Sequence, residues 1–186
     1  KYQIEGNPKF KVFFDKRGLE EFFELLGDDF VVKADGLKGG KGVKVSGDHL
    51  NGIDEGLAYA RECLAEGGRV VIEEKLIGQE FSLMSFCDGE NTAEMPAIQD
   101  HKRAYEGDKG PNTGGMGSYS NANHGLPFLR FEDIADAKTI TKKVAKALFK
   151  DTWTHFKGVM YGGFIATKDG VRLIEYNARF GDPEAM

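Results

Sequence analysis

Three times along this chain a short apolar run leads into a turn and back into a second apolar run. Residues 81–87 and 92–97 flank Asp88-Gly89-Glu90, and residues 159–167 and 171–176 flank Lys168-Asp169-Gly170. Residues 30–34 and 43–46 flank a glycine-rich stretch from Asp35 to Gly42. Runs that leave and return through such turns pair as antiparallel hairpins. Residues 70–75 read as one further strand. The strand–helix–strand alternation that builds a parallel dinucleotide-binding sheet is absent.

Three helical stripes accompany the strands. Leu19, Phe22, Phe23 and Leu26 fall at i, i+3, i+4 and i+7, with Gly27 placed to end the helix. Ile53, Leu57, Ala60 and Leu64 repeat the spacing before Gly67-Gly68, and Ile140, Val144, Ala147 and Leu148 mark a third helix. Helices beside hairpins make the expected class α+β. No internal repeat or low-complexity tract interrupts the pattern. The segment from Gln99 to about His124 is polar, glycine-rich and without periodicity, and it reads as a long functional loop.

Bulk properties remove whole classes of function. The 186 residues allow one sizeable domain or two small ones sharing a cleft. Net charge is −5, from 25 basic and 30 acidic residues that are scattered, so no basic stripe exists for a nucleic-acid backbone. No apolar run approaches the ~20 residues of a membrane span, and no signal-peptide pattern opens the chain. Cys63 and Cys87, without CxxC spacing, read as two buried thiols in a reducing cytoplasm. The chain opens on Lys1 and stops at Met186, just after Gly181-Asp182-Pro183-Glu184, and is expected to be a piece of a longer protein.

Four constellations can carry chemistry. From Lys33 to Val43 the chain places four glycines in seven positions, Gly36, Gly39, Gly40 and Gly42, with Lys33 and Lys41 bracketing them. Backbone N–H groups there can approach an anion closely, although a hairpin tip with solvated lysines has the same composition. The Gly-Lys-Ser/Thr ending of a P-loop is absent. Next, Val71-Ile72-Glu73-Glu74-Lys75-Leu76 precedes Gly78-Gln79-Glu80. Such a strand end can offer main-chain groups to a flat base and a carboxylate to ribose hydroxyls. Taken alone, it is an ordinary strand running into a turn.

The third constellation is Ile174-Glu175-Tyr176-Asn177-Ala178-Arg179. Residues two apart share a strand face, so Glu175, Asn177 and Arg179 are expected to point one way. A carboxylate and an amide oxygen suit Mg²⁺, and an adjacent arginine suits a transferring phosphoryl group. A polar face open to water is the plainer reading. The fourth joins Gln99-Asp100-His101-Lys102-Arg103 to Gly110-Pro111-Asn112-Thr113-Gly114-Gly115-Met116-Gly117, which can grip a charged small molecule and close over it. His101 fits a general base or a structural role equally well.

In this order, from about residue 30 to 186, these segments resemble the glycinamide ribonucleotide synthetases (phosphoribosylamine–glycine ligases) of the ATP-grasp superfamily. Asp100-His101-Lys102-Arg103 and the Gly110–Gly117 run are the specific part, and the other segments are shared more widely among ATP-grasp enzymes. The resemblance implies a small lid over residues 1–73 and a metal- and substrate-bearing part over residues 74–186, with ATP between them. It implies that ATP phosphorylates the glycine carboxylate and that the amine of 5-phosphoribosylamine displaces phosphate, in de novo purine (IMP) biosynthesis. By position, Lys33, Gly39, Gly40, Gly42 and Val43 would hold ATP phosphates, Glu73, Glu74 and Leu76 would line the adenine pocket, and Glu80 would take the ribose. Glu175 and Asn177 would bind Mg²⁺ or Mn²⁺, and Arg179 would act catalytically on the acyl phosphate together with Lys41. Asp100, His101, Lys102, Asn112, Thr113 and Asp182 would bind glycine and phosphoribosylamine.

The sequence departs from the family at Lys38, an extra lysine in the loop, and at Lys75 and Ile77, where relatives often carry an aromatic and an acid. The resemblance also implies N- and C-terminal domains that this chain is expected to lack. Two other readings compete. One is a different ATP-grasp carboxylate–amine ligase or a carboxylase, against which the Asp-His-Lys-Arg and Gly-Pro-Asn-Thr-Gly-Gly-Met-Gly segments argue. The other is a non-catalytic nucleotide-binding module, which would need no face carrying Glu175, Asn177 and Arg179.

Overall fold

The computed structural model describes residues 2, 4–36, 42–107 and 109–186, with the backbone alone at Asn112. The chain forms two compact units, Pro8–Leu76 and a second made of Ile77–Met186 with the residues up to Asn7. The division falls at Leu76/Ile77, just past the strand Val70–Glu74 that ends the first unit's sheet. Residues near the amino terminus join the second unit, where Leu173 N donates to Gly6 O.

The first unit holds β1 (Phe10–Phe13), α1 (Leu19–Leu26), β2 (Phe30–Ala34), β3 (Val43–Val45), α2 (Ile53–Gly67) and β4 (Val70–Glu74). Its four strands pair antiparallel in the order β1-β4-β2-β3. The pleat sends alternate residues to opposite faces. Phe30 and Val32 of β2 and Val70 and Ile72 of β4 go to the helix side, where all four are fully buried against Phe23, Leu57 and Ala60. The Phe23 and Phe30 rings meet edge-on at 4.8 Å. Gly56 lets α2 sit this close, since a Cβ there would lie 2.6 Å from the Phe30 ring. Gly27 and Gly68, both at positive φ, end α1 and α2 and donate their N–H groups to Phe23 O and Leu64 O. Strand β1, in which Lys11 interrupts the apolar residues, was not expected from the sequence.

The second unit holds β5 (Gly78–Cys87), β6 (Thr92–Asp100), β7 (Arg103–Tyr105), β8 (Lys109–Asn112), β9 (Ser118–Tyr119), α3 (Phe131–Thr152), β10 (Gly158–Thr167) and β11 (Gly170–Asn177). Five strands form an antiparallel sheet in the order β11-β10-β5-β6-β9, and α3 covers one face. Beneath α3 lie Phe81, Leu83, Phe164 and Val171 from the sheet and Ala137 and Ile140 from the helix. The β5–β6 turn is set by Asp88, whose Oδ1 accepts from the N–H groups of Glu90 (2.8 Å) and Asn91 (2.7 Å). Pro96, with no N–H to give, falls where the β5–β6 register slips between Leu83 and Ser85.

The expectation of an unstructured loop from Gln99 to His124 is corrected. Strand β6 continues to Asp100, β7 and β8 form their own two-stranded hairpin, and β9 adds to the edge of β6. Main-chain pairing does this without apolar alternation. His101 N donates to Gly117 O (3.0 Å), Met116 N to His101 O (2.7 Å) and Thr113 N to Lys102 O (2.7 Å). Cys63 and Cys87 are buried and are not joined in a disulfide. No helix among the described residues is long and apolar enough to cross a membrane.

Candidate functional site

The face of the second sheet opposite α3 collects chemistry from four strands. Pairing sets Gly163 between Ser82 and Glu175, and Tyr161 between Met84 and Asn177, while Ser82 opposes Ile98 on β6. Alternation then places Glu80 of β5, Asp100 of β6, and Glu175 and Asn177 of β11 on this one face. A cavity of about 30 Å³ opens there, lined by Glu80, Ser82, Asp100, Lys102, Tyr161, Gly163 and Glu175 among others. Four residues singled out from three separate sequence segments, Glu80, Asp100, Lys102 and Glu175, therefore share one wall.

Asn177 Nδ2 donates to Glu175 Oε1 at 3.3 Å, which leaves the Asn177 carbonyl oxygen and the second Glu175 oxygen as hard donors side by side. Among the described residues no three His, Cys, Asp or Glu side chains gather into a metal cage. Two oxygen donors of this kind fit Mg²⁺ or Mn²⁺ that draws its remaining ligands from water and phosphate. Arg179 lies past the end of β11. Its Nη1 donates to Phe180 O at 2.8 Å, and its guanidinium stands 5.7 Å from the centre of the Tyr161 ring.

Three residues that sequence reasoning missed hold this wall together. Glu184 is 5% exposed, and its Oε1 accepts from the Tyr161 hydroxyl, which also meets Ser82 Oγ at 2.9 Å. Burial, helped by the Glu184 contact, raises the Tyr161 phenol well above its ordinary value. Asp100 Oδ1 is buried without a hydrogen-bond partner among the described residues. Burial, then the Glu184 carboxylate, raises the Asp100 carboxyl above the usual range, with Lys102 and His101 acting the other way. An apolar alternation in β10 gives no sign that Tyr161 carries a buried hydroxyl network. Glu184 follows a proline turn, where a charged residue ordinarily faces water.

The loop residues divide. The Thr113 hydroxyl donates to Lys102 O (2.9 Å) and accepts from Gly115 N (3.1 Å), so it locks the loop to the β6–β7 connection. The His101 ring stacks on Tyr119 at 5.9 Å. Asp182 is exposed in the turn that carries Glu184 inward. For Asn112 only the backbone, paired with Arg103, is described.

In the first unit, Gly39, Gly40 and Lys41 lie outside the described residues. Gly42 is placed by its carbonyl, which accepts from Ala34 N at 2.8 Å. The sheet face away from α1 and α2 bears Phe10, Val12, Val31, Val43, Val45 and Val71, and among the described residues the register adds two charged ones to them, Lys33 and Glu73. Phe10, Val12 and Val43 are exposed. The Lys33 ammonium is ion-paired with the Glu73 carboxylate, side chains 25% and 15% exposed. Glu74, next in sequence and opposite Phe30 in the register, accepts through Oε1 from Lys9 N at 2.9 Å. Lys75 turns elsewhere: its Nζ donates to Ser46 O at 2.7 Å, at the edge of an open recess lined also by Asp28, Asp29 and Asn51.

The comparisons with known proteins agree over the whole chain. Residues 1–185 match the family model described as phosphoribosylglycinamide synthetase, ATP-grasp (A) domain. The phosphoribosylamine–glycine ligase of Methanosarcina barkeri is 53% identical over all 186 residues, and that of Methanococcoides burtonii is 55% identical over 98% of the chain. The chain spans 42% of the length of each. The crystal structure of the phosphoribosylamine–glycine ligase from Thermotoga maritima superposes with a TM-score of 0.80 at 31% identity, over 98% of this chain and 45% of that one. With two antiparallel sheets, each backed by helix, and this match from end to end, the chain has the ATP-grasp fold and belongs to the phosphoribosylglycinamide synthetase ATP-grasp (A) domain family.

Proposed function

We propose that this chain is the ATP-binding part of a phosphoribosylamine–glycine ligase of purine biosynthesis, using ATP with Mg²⁺ or Mn²⁺. The glycine carboxylate attacks the γ-phosphorus of ATP, the bond to the β-phosphate oxygen breaks, and ADP leaves. The amine of 5-phosphoribosylamine then attacks the acyl carbon and loses a proton, and phosphate departs, giving glycinamide ribonucleotide. The observation that carries this reading is the convergence of Glu80, Asp100, Lys102 and Glu175 on one cavity wall. A base-binding module needs no such wall, whereas a phosphoryl-transfer site needs hard oxygen donors beside a substrate position.

In this reading Lys33, Lys41, Gly39, Gly40, Gly42 and Val43 hold the ATP phosphates, while the Glu73–Leu76 backbone and Glu74 line the adenine site. Glu80 accepts ribose hydroxyls. Glu175 and Asn177 hold the metal ion, which when bound neutralises phosphate charge. Arg179, steadied against Tyr161, faces the acyl phosphate. Asp100, Lys102 and Asp182 take the amine and glycine substrates. Asn112 and Thr113 complete the substrate loop, with His101 orienting it through its stack on Tyr119.

The test is a calorimetric titration of ATP into wild-type protein and Glu175→Gln, each with and without Mg²⁺. The substitution keeps shape and removes a charge from an exposed strand position, so folding should be unaffected. Mg²⁺ should strengthen ATP binding in the wild type and do so much less in the variant. An equal Mg²⁺ enhancement in both would remove Glu175 from the metal site.

A further inference from the structure

The Lys33–Glu73 pair occupies an unusual place. Lys33 is opposite Val71 and Glu73 opposite Val31, so the two charges are diagonal neighbours on one face of adjacent strands. Around them the same face offers Val31, Val43, Val45, Val71, Phe10 and Val12. None of these side chains can accept from an ammonium. A lysine on such a surface, left alone, would extend its stem over the apolar groups and hold its charge out in water. Glu73 instead draws the ammonium inward, where its side chain is only a quarter exposed.

We infer that Glu73 is a positioning residue: its carboxylate sets the place of the Lys33 ammonium so that the lysine meets ATP phosphate already ordered. The inference rests on the proposed role of Lys33 as a phosphate contact and reassigns the Glu73 side chain, whose backbone remains free to line the adenine site. An ammonium has three donors. One goes to Glu73, leaving two that can turn to phosphate oxygens without breaking the pair. A flexible lysine loses rotamer freedom when it grips a ligand, and a lysine held in advance loses less. A cross-strand pair that only stabilised the sheet would act equally on every ligand. A carboxylate touching the base would act on adenosine as strongly as on ATP.

The experiment is a double-substitution cycle read with two probes, Mg·ATP and adenosine, on wild type, Lys33→Met, Glu73→Gln and the double variant, with Lys142→Met as a control on α3. Lys33→Met should weaken Mg·ATP by roughly ten- to a hundredfold, the loss of one charge-assisted contact, and Lys142→Met should not. Glu73→Gln should weaken Mg·ATP about fivefold, leave adenosine within about twofold, and add nothing once Lys33 is already methionine. If Lys33→Met behaves like Lys142→Met, the phosphate role of Lys33 fails and the inference falls with it. If Lys33→Met weakens ATP but Glu73→Gln costs adenosine as much as ATP, or adds in full to Lys33→Met, Glu73 acts on its own and the positioning role is wrong. Tighter ATP binding in Glu73→Gln would make Glu73 a competitor for the ammonium and overturn the inference too. Glu73→Asp, which keeps the charge, should lose less ATP affinity than Glu73→Gln. Should the glutamine variant not fold, the ATP-to-adenosine ratio of Glu73→Asp decides, an unchanged ratio counting against positioning.

Discussion

Tyr161→Phe removes one oxygen atom from the wall of the candidate site, and its cost follows from what that oxygen touches. The hydroxyl donates to the carboxylate of Glu184, which is 5% exposed, and shares a 2.9 Å contact with Ser82. A hydrogen bond to a buried charged group contributes ~1.5–3 kcal/mol, and here the acceptor is left buried without that donor. For a chain of 186 residues each kcal/mol moves the melting point by about 2–4 °C, so the variant should melt ~3–12 °C lower. The ring stays, so the Arg179 guanidinium keeps the surface it stands on. Thermal unfolding by circular dichroism measures the loss, and Glu184→Gln completes a cycle. In the Glu184→Gln background the same Tyr161 change should cost clearly less, because a neutral amide suffers less from the missing donor. A Tyr161→Phe protein melting within about 1 °C of wild type would refute the reasoning, as would full additivity with Glu184→Gln.

Further outcomes follow from other contacts. Asp133 Oδ2 accepts from Arg130 N at 2.8 Å at the start of α3, and Asp133→Ala should cost ~0.5–2 kcal/mol in denaturant unfolding. The Arg130 side chain holds the Asp133 carboxyl below its usual range. Its contribution is therefore present above the unfolded-state value near 3.9 and disappears as pH falls through the lower folded value, so wild type and variant should converge in strong acid. At the alkaline end, burial pushes the Tyr59 and Tyr176 phenols up to about 12. The folded state holds those protons longer than the unfolded chain, so stability should fall as pH rises from about 10 toward 12. The share of phenolate absorbance that belongs to these two rings should accordingly appear late and in step with unfolding.

Much of the architecture was legible because it depends on periodicity. Alternating apolar residues with Asp88-Gly89-Glu90 or Lys168-Asp169-Gly170 between them can pair in few ways, and β5–β6 and β10–β11 are those hairpins. The spacing of Leu19, Phe22, Phe23 and Leu26 likewise predicts α1, with Phe23 fully buried. Strand β1 escaped because Lys11 falls on its core face, where its ammonium lies 4.9 Å from the Phe13 ring centre, so the alternation is broken by a residue whose stem packs while its charge reaches out. The β7–β8 hairpin escaped because its strands are held by main-chain groups of Pro, Gly and polar residues, whose side chains carry no period.

For the candidate site, alternation along β11 already set Glu175 and Asn177 side by side. It could not say that β5 and β6 bring Glu80 and Asp100 to the same wall, because strand order is a property of long-range pairing. Nor could it show that Lys33 and Glu73, forty residues apart in sequence, are ion-paired on neighbouring strands. Glu184 was hidden for another reason: only the turn at Asp182-Pro183, with Ser118 Oγ donating to Pro183 O at 3.2 Å, carries a carboxylate from the surface into the wall.

The most direct test of the account is ligation itself. This chain, exchanged for the matching 42% of the Methanosarcina barkeri ligase, would be assayed for sustained ADP release with Mg·ATP, glycine and 5-phosphoribosylamine. The account predicts turnover that needs both glycine and phosphoribosylamine, yields glycinamide ribonucleotide in step with ADP, and is lost on Glu175→Gln. Sustained ADP release with phosphoribosylamine omitted, or with bicarbonate serving in place of glycine, would contradict it, as would a chimera that binds Mg·ATP yet makes no glycinamide ribonucleotide.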